Sequence, residues 1–206
     1  MAYRRSPAVQ ERLDAARARV VDAALALVAE GGWSSASVAA VAARAGVATG
    51  SVYQHVPGKG ELLAEVFRLA SGREVEAVGA ALERPGTTAE RAAAGVETFV
   101  RRAFRAPRLA YALIAEPVDP RVEAERLVFR AAYRDRFAGL IADAAARGDL
   151  PPQDPTTTAA AVVGAIAEAV VVPLHHGDLD PHDDATADRT VAELTALVVR
   201  ALGATP

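Results

Sequence analysis

RARVVDAALALVAEGGWSSASVAAVAARAGVATGSVYQHVPGKGELLAEVF, residues 17–67, is the stretch from which the rest of the chain is best understood. Val21, Ala24, Leu25 and Val28 recur at the spacing of one buried helical stripe, and Gly31-Gly32 ends that helix. Trp33 then reads as a plug over a small core. Ser37 is placed to cap a second helix with the stripe Val38, Val41, Ala42 and Ala45, closed by Gly46. The next helix, Thr49 to His55, is about two turns long and needs neighbours to be stable. Val52 is its inward residue, which leaves Thr49, Gly50, Ser51, Tyr53, Gln54 and His55 outward. Two helices joined by a tight glycine turn, the second polar and exposed, form the arrangement that fits a DNA major groove. Pro57-Gly58 interrupts the chain before a long fourth helix that starts beside Lys59 and reaches Leu82.

Outward from this head, the composition points the same way. The chain has 206 residues, 51% hydrophobic, 24% charged and only 5% aromatic. Alanine supplies much of the apolar share, and Lys59 is the only lysine among 23 basic residues. Alanine and arginine both favour helix, so an all-α chain is expected. Residues 1–60 carry seven basic groups against four acidic ones, a net +3, within a chain of net −3. That asymmetry suits a polyanion at the head alone. Cysteine is absent, which removes disulfides, thiolate nucleophiles and Cys-ligated zinc and fits a cytoplasmic protein. The N-terminal residues lack the long apolar run of a secretory signal. The most apolar stretch, Ala159 to Leu174, contains Gly164, Glu168 and Pro173, and a core or interface helix is expected there rather than a membrane span.

Five more helices follow. Thr87 and Glu90 have capping-box spacing for the fifth, with Val96, Phe99, Val100, Ala103 and Phe104 inward. A short sixth covers Leu109 to Ala115, and Asp119-Pro120 opens a seventh of about seven turns that ends at Gly148. Asp154-Pro155 opens the eighth, expected to end near Val172 before Pro173. It is apolar nearly all round and needs cover on several sides, one of which a second subunit can supply. A ninth helix runs from about Ala185 to Leu202, with Asp183 or Asp184 as its cap.

Residues 17–67 closely resemble the N-terminal DNA-binding domain of the TetR family of transcriptional regulators. The matching residues are Ala23-Ala24, Leu27, Glu30-Gly31-Gly32-Trp33, Ser37-Val38, Val41-Ala42, Ala45-Gly46-Val47, Gly50-Ser51-Val52-Tyr53, His55, Pro57, Lys59 and Glu61-Leu62-Leu63. The resemblance implies an all-α fold of about nine helices, with a helix-turn-helix head over 1–60 and an effector-binding and dimerisation domain over 61–206. It implies a homodimer, here expected through the eighth and ninth helices, on a palindromic double-stranded DNA operator. A small-molecule effector of unknown identity would release it as a repressor. No cofactor, metal, membrane or catalytic residue is expected. Residue by residue, Tyr53 and His55 match phosphate-contacting positions, and Lys59 matches the phosphate lysine at the start of the fourth helix. Ser37, Thr49, Gly50, Ser51, Gln54 and Arg44 complete the DNA-binding candidates, with Arg4 and Arg5 as a possible arm. Ala48, Thr49, Val56 and Gly60 depart from the common pattern; Thr49 is an alternative cap in place of the usual serine, and Val56 leaves the junction of the third and fourth helices less filled.

The implied cavity makes Phe99, Phe104, Tyr111, Phe129, Tyr133, Phe137 and Glu168 candidate pocket residues, each with a role in the core as the simpler reading. For Glu168 an internal pair with an arginine of the seventh helix is expected, since a carboxylate among apolar residues is costly alone. The stretch His175, His176, Asp178, Asp180, His182, Asp183, Asp184 has ligand types for a divalent cation but no tight metal spacing. Two other functions stay open: a constitutive DNA-binding architectural protein without an effector, and a helical enzyme, for which no nucleophile elbow or phosphate loop is present.

Overall fold

A computed structural model describes residues 7–176 and 184–204. Nine α-helices and one 3-10 turn make up the regular structure of the described residues: α1 (Pro7–Gly31), the turn Trp33–Ser35, α2 (Val38–Ala45), α3 (Thr49–His55), α4 (Lys59–Leu82), α5 (Thr88–Arg105), α6 (Pro107–Ile114), α7 (Pro120–Arg147), α8 (Pro155–His176) and α9 (Asp184–Leu202). The expected all-α order is therefore present, and the differences lie at helix ends.

Local chemistry explains most of those ends. Ser37 Oγ accepts from the Ala40 N–H and starts α2, while Gly46 in the left-handed region (φ 68°) returns its N–H to the Ala42 and Ala43 carbonyls. Thr87 and Glu90 form both halves of a capping box at α5. Asp119 caps α7 with Pro120 in the first turn, and Asp154 Oδ1 accepts from the Thr157 N–H at the start of α8. Thr49 does not act as a cap. Ala48 holds the cap position of α3 in an extended conformation, with no side-chain hydrogen bond, so the helix relies on burial of Val52.

α8 corrects one expectation: it passes through Pro173 and ends at His176. Proline removes one backbone donor and crowds the carbonyl four residues back. Leu174, 3% exposed in the C-terminal core, lies beyond the proline, so packing holds the last turn in place against that local cost. α9 is described from Asp184 onward. Residues 177–183 lie outside the described residues, so the metal-ligand stretch and the alternative cap Asp183 receive no structural description, and neither do Arg4 and Arg5.

Two apolar clusters organise the molecule. One joins α1, α2, α3 and the first half of α4 through Val20, Ala24, Val28, Val41, Val52 and Phe67. It also takes in Ala112 and Leu113 of α6 and Val122 of α7, so the head core extends beyond the head. Val56 is 2% exposed within it and fills the α3–α4 junction adequately despite its modest size. The second cluster packs α5, α7, α8 and α9 against Val78 and Leu82 at the far end of α4. α4 is thus shared, its first half in one core and its second half in the other.

Candidate DNA-binding head and effector cavity

Val52 is fully buried, which turns the opposite side of α3 to solvent. Thr49, Gly50, Tyr53 and Gln54 are exposed, Tyr53 at 54%, and Ser51 and His55 are half-buried beside them. Lys59 is exposed in the first turn of α4, where unsatisfied N–H groups and the helix dipole favour an anion. An ammonium, a phenol and free N–H groups on one surface are suited to phosphate oxygens. Arg44 stands differently: both guanidinium arms bind Glu30, at 2.8 and 2.7 Å. That bond, with the Arg44 charge, holds the Glu30 carboxyl below its ordinary value. Ser37 Oγ is occupied as a cap acceptor at 3.2 Å. These two candidates therefore shape the head before any ligand arrives.

The head is tied to the rest of the chain by polar contacts that the sequence did not reveal. Trp33, 3% exposed, donates from Nε1 to the Ala112 carbonyl of α6 at 2.8 Å, and its ring stacks on Phe67 with centroids 6.3 Å apart. Its reading as a plug is correct but incomplete, because it also bonds outside the head. Arg108 reaches the Gly31 carbonyl and Glu116, and the Trp33 N–H points to Glu116 at 3.4 Å. The buried Arg126 of α7 donates to the carbonyls of Leu113 (3.0 Å), Ala112 (3.2 Å) and Glu116 (2.9 Å) and pairs with Glu123. It locks the α6–α7 elbow onto which the head is bonded. Gly60 has a similar role by its smallness: a Cβ there would lie 2.7 Å from Asp119 Oδ2 and 2.6 Å from Arg121. A side chain at 60 would have to displace the paired ends of Asp119 and Arg121.

Between α4, α5, α6, α7 and α8 lies a cavity of about 110 Å³. Its lining includes Phe67, Ser71, Glu74 and Val78 along α4, and Arg126, Phe129, Arg130, Tyr133 and Phe137 along α7. Each set spans twelve residues, eleven rises or about 16 Å at 1.5 Å per residue, so the empty space is a narrow slot. Of the seven candidates, Phe99, Phe129, Tyr133 and Phe137 border it. Phe104 is 5% exposed in the C-terminal core, and Tyr111 packs against His175 at 5.0 Å. Glu168 does not form the expected internal pair. It is exposed, has no ion-pair partner among the described residues, and lies in an open α7–α8 groove beside the slot, because its position on α8 faces outward.

Ser71, Glu74, Arg102, Arg126 and Arg130 also line the slot and are not among the seven candidates. Arg102 holds Glu74 through two bonds of 2.6 and 2.8 Å, beside Tyr133, whose ring meets Phe99 edge-on at 5.7 Å. Burial, and secondarily the Glu74 charge, push the Tyr133 phenol well above its ordinary value, so it is a neutral donor. Ser71 and Glu74 fall on the helical line of Phe67 and Val78, and polar residues interrupting an apolar stripe were the available signal.

Comparison with known proteins now adds to this geometry. Residues 20–66 match the sequence model for bacterial regulatory proteins of the tetR family, and residues 108–204 match that for the AefR-like transcriptional repressor C-terminal domain. The chain belongs to the TetR family. The HTH-type transcriptional repressor KstR of Mycolicibacterium smegmatis is 34% identical over 113 residues, 55% of this chain and 50% of that protein. The chain thus spans about half the length of this curated relative. Among solved structures of the family fold, the transcriptional regulator FadR from Bacillus subtilis, in complex with stearoyl-CoA, superposes with a TM-score of 0.69 at 18% identity, covering 86% of this chain and 97% of that one. RolR in complex with resorcinol gives 0.67 at 21% identity, covering 95% and 91%. These likenesses establish the fold, and the two ligands differ widely.

Proposed function

We propose that this TetR-family chain is a homodimeric DNA-binding transcriptional repressor, released from a palindromic operator when a small molecule fills the slot between α4 and α8. The observation that carries the reading is the exposed face of α3 with Lys59 beside it, on a head bonded to the walls of the slot. In this reading residues 1–60 are the DNA-binding unit and residues 61–206 the effector and dimerisation unit. Thr49, Gly50, Ser51, Tyr53, Gln54, His55 and Lys59 meet the duplex, with Ser37 and Arg44 supporting them. Dimerisation uses α8 and α9: Val172 at 56% and Leu197 at 42% exposure, with exposed Ala161 and Ala169, leave an apolar surface that a second copy would cover.

The effector acts by widening the slot. At about 110 Å³ the slot is smaller than the 300–1,000 Å³ of ordinary ligand pockets, so an occupant must displace lining side chains. Phe67, 1% exposed, is the link: it borders the slot, meets the Phe129 ring at 5.7 Å between centroids and stacks on Trp33. Displacing it shifts α4 and the α6 elbow against the head and changes the separation of the two α3 helices in the dimer. In vitro selection of duplexes from a random library tests the function. Recovery of a two-fold symmetric sequence, bound much more tightly than unrelated DNA, is expected. Equal affinity for all sequences would replace this reading with that of an architectural protein.

A further inference from the structure

The cations around the slot are not equivalent. Arg102 is neutralised by Glu74, and Arg126 is committed to Glu123 and three carbonyls. Arg130 borders both the slot and the α7–α8 groove and has no carboxylate partner among the described residues. It is exposed, so its guanidinium stands at the mouth rather than in the interior. Tyr133 follows three positions later on α7 and also borders the slot, which puts the two Cβ atoms about 5–6 Å apart on one face. Its hydroxyl has no hydrogen-bond partner among the described residues. One uncommitted cation and one uncommitted neutral donor thus share one face of α7 at the edge of a space whose other charged groups, Glu74, Arg102 and Arg126, are already paired.

We propose that the effector is a compact monocarboxylate, its acid group held by Arg130 and Tyr133 and its apolar body set among Phe67, Phe99, Phe129 and Phe137. A single negative charge matches the single unpaired guanidinium, and arginine and phenol donors suit the two oxygens of a carboxylate. Volume limits the body: a cavity of about 150 Å³ accepts a benzene ring, and this slot of about 110 Å³ takes one ring or a short branched chain with modest widening. A long acyl chain would require displacement of most of the lining. This assignment rests on the slot being an effector site, and it concerns binding to the protein without DNA.

Isothermal titration of the purified full-length protein with 3-phenylpropanoate, 3-phenylpropanol and octanoyl-CoA, all without DNA, tests it. Expected is binding of the acid at least about tenfold tighter than the alcohol, as for loss of one charge-assisted hydrogen bond. Arg130→Ala should abolish that preference, Arg130→Lys restore part of it, and Tyr133→Phe weaken the acid more than the alcohol. Arg134→Ala, a change of charge in the neighbouring groove, should leave acid affinity unchanged. Equal binding of acid and alcohol, no binding of the acid, an unchanged preference in Arg130→Ala, or tighter binding of octanoyl-CoA than of the acid would overturn the proposal. Because no DNA is present, these results are independent of whether the head selects an operator.

Discussion

Lys59 joins a positive side chain to a positive helix end, and nothing in the fold competes for it: it is exposed and has no carboxylate partner among the described residues. Lys59→Ala should weaken binding to every DNA sequence by a similar factor and reduce the slope of log affinity against log salt by about one. Titrations of selected and unrelated duplexes across salt concentrations measure this, and an unaltered slope would refute the phosphate contact. Glu90 gives a second prediction at the same scale. Its carboxylate accepts the Thr87 backbone N–H, at 2.7 Å, and this bond lowers its value below the ordinary 4.5. A lowered value means the contribution to stability is complete above 4.5 and fades as pH falls through the lower folded value. Glu90→Gln cannot titrate, so the gap in melting temperature between wild type and variant should be greatest above pH 4.5 and narrow below it. A gap independent of pH would contradict the capping role of the charge.

At the scale of elements, α8 shows how apolar character and burial separate. Its outer face keeps Ala161, Ala169 and Val172 in contact with solvent while Val162, Ile166 and Val170 are buried. Val172→Arg should therefore leave the fold of the subunit intact and give monomers in sedimentation velocity; a persistent dimer would place the interface elsewhere. Four helix starts were legible because their caps are chemical: Ser37, Thr87, Asp119 and Asp154 each precede a helix and each accepts a backbone N–H. The end of α8 was not, because the local penalty of Pro173 is outweighed by burial of Leu174, and burial depends on residues distant in sequence. The same reason governs the slot. Aromatic residues on helical stripes were recognisable, but which ones border empty space depends on how five helices meet, so Phe104 and Tyr111 could not be separated from Phe99 and Tyr133 beforehand. Trp33 was visible as buried, whereas its bond to Ala112, 79 residues away, was not.

For the whole molecule, the important property is that the two cores are not independent. α4 belongs to both, Trp33 and Arg108 bond the head to α6, and Arg126 locks the α6–α7 elbow. The wild-type subunit should unfold as one calorimetric transition. The double change Trp33→Phe, Arg126→Met removes the bonds to Ala112 at a cost of about 1–3 kcal/mol per unsatisfied buried group, and should broaden or split that transition. A single sharp transition in the double variant would show that α4 alone couples the parts. Coupling of this kind also makes the lone lysine useful as a reporter. Amine-selective reagents have only one side chain to find in the whole chain, Lys59, and it lies on the surface assigned to DNA. Acylation of that single amine, followed by mass spectrometry, becomes a footprint of occupancy: slowed on the operator and restored when the effector frees the head. Conversely, attaching the protein to a sensor surface through its lysine would block the surface that the sensor is meant to measure.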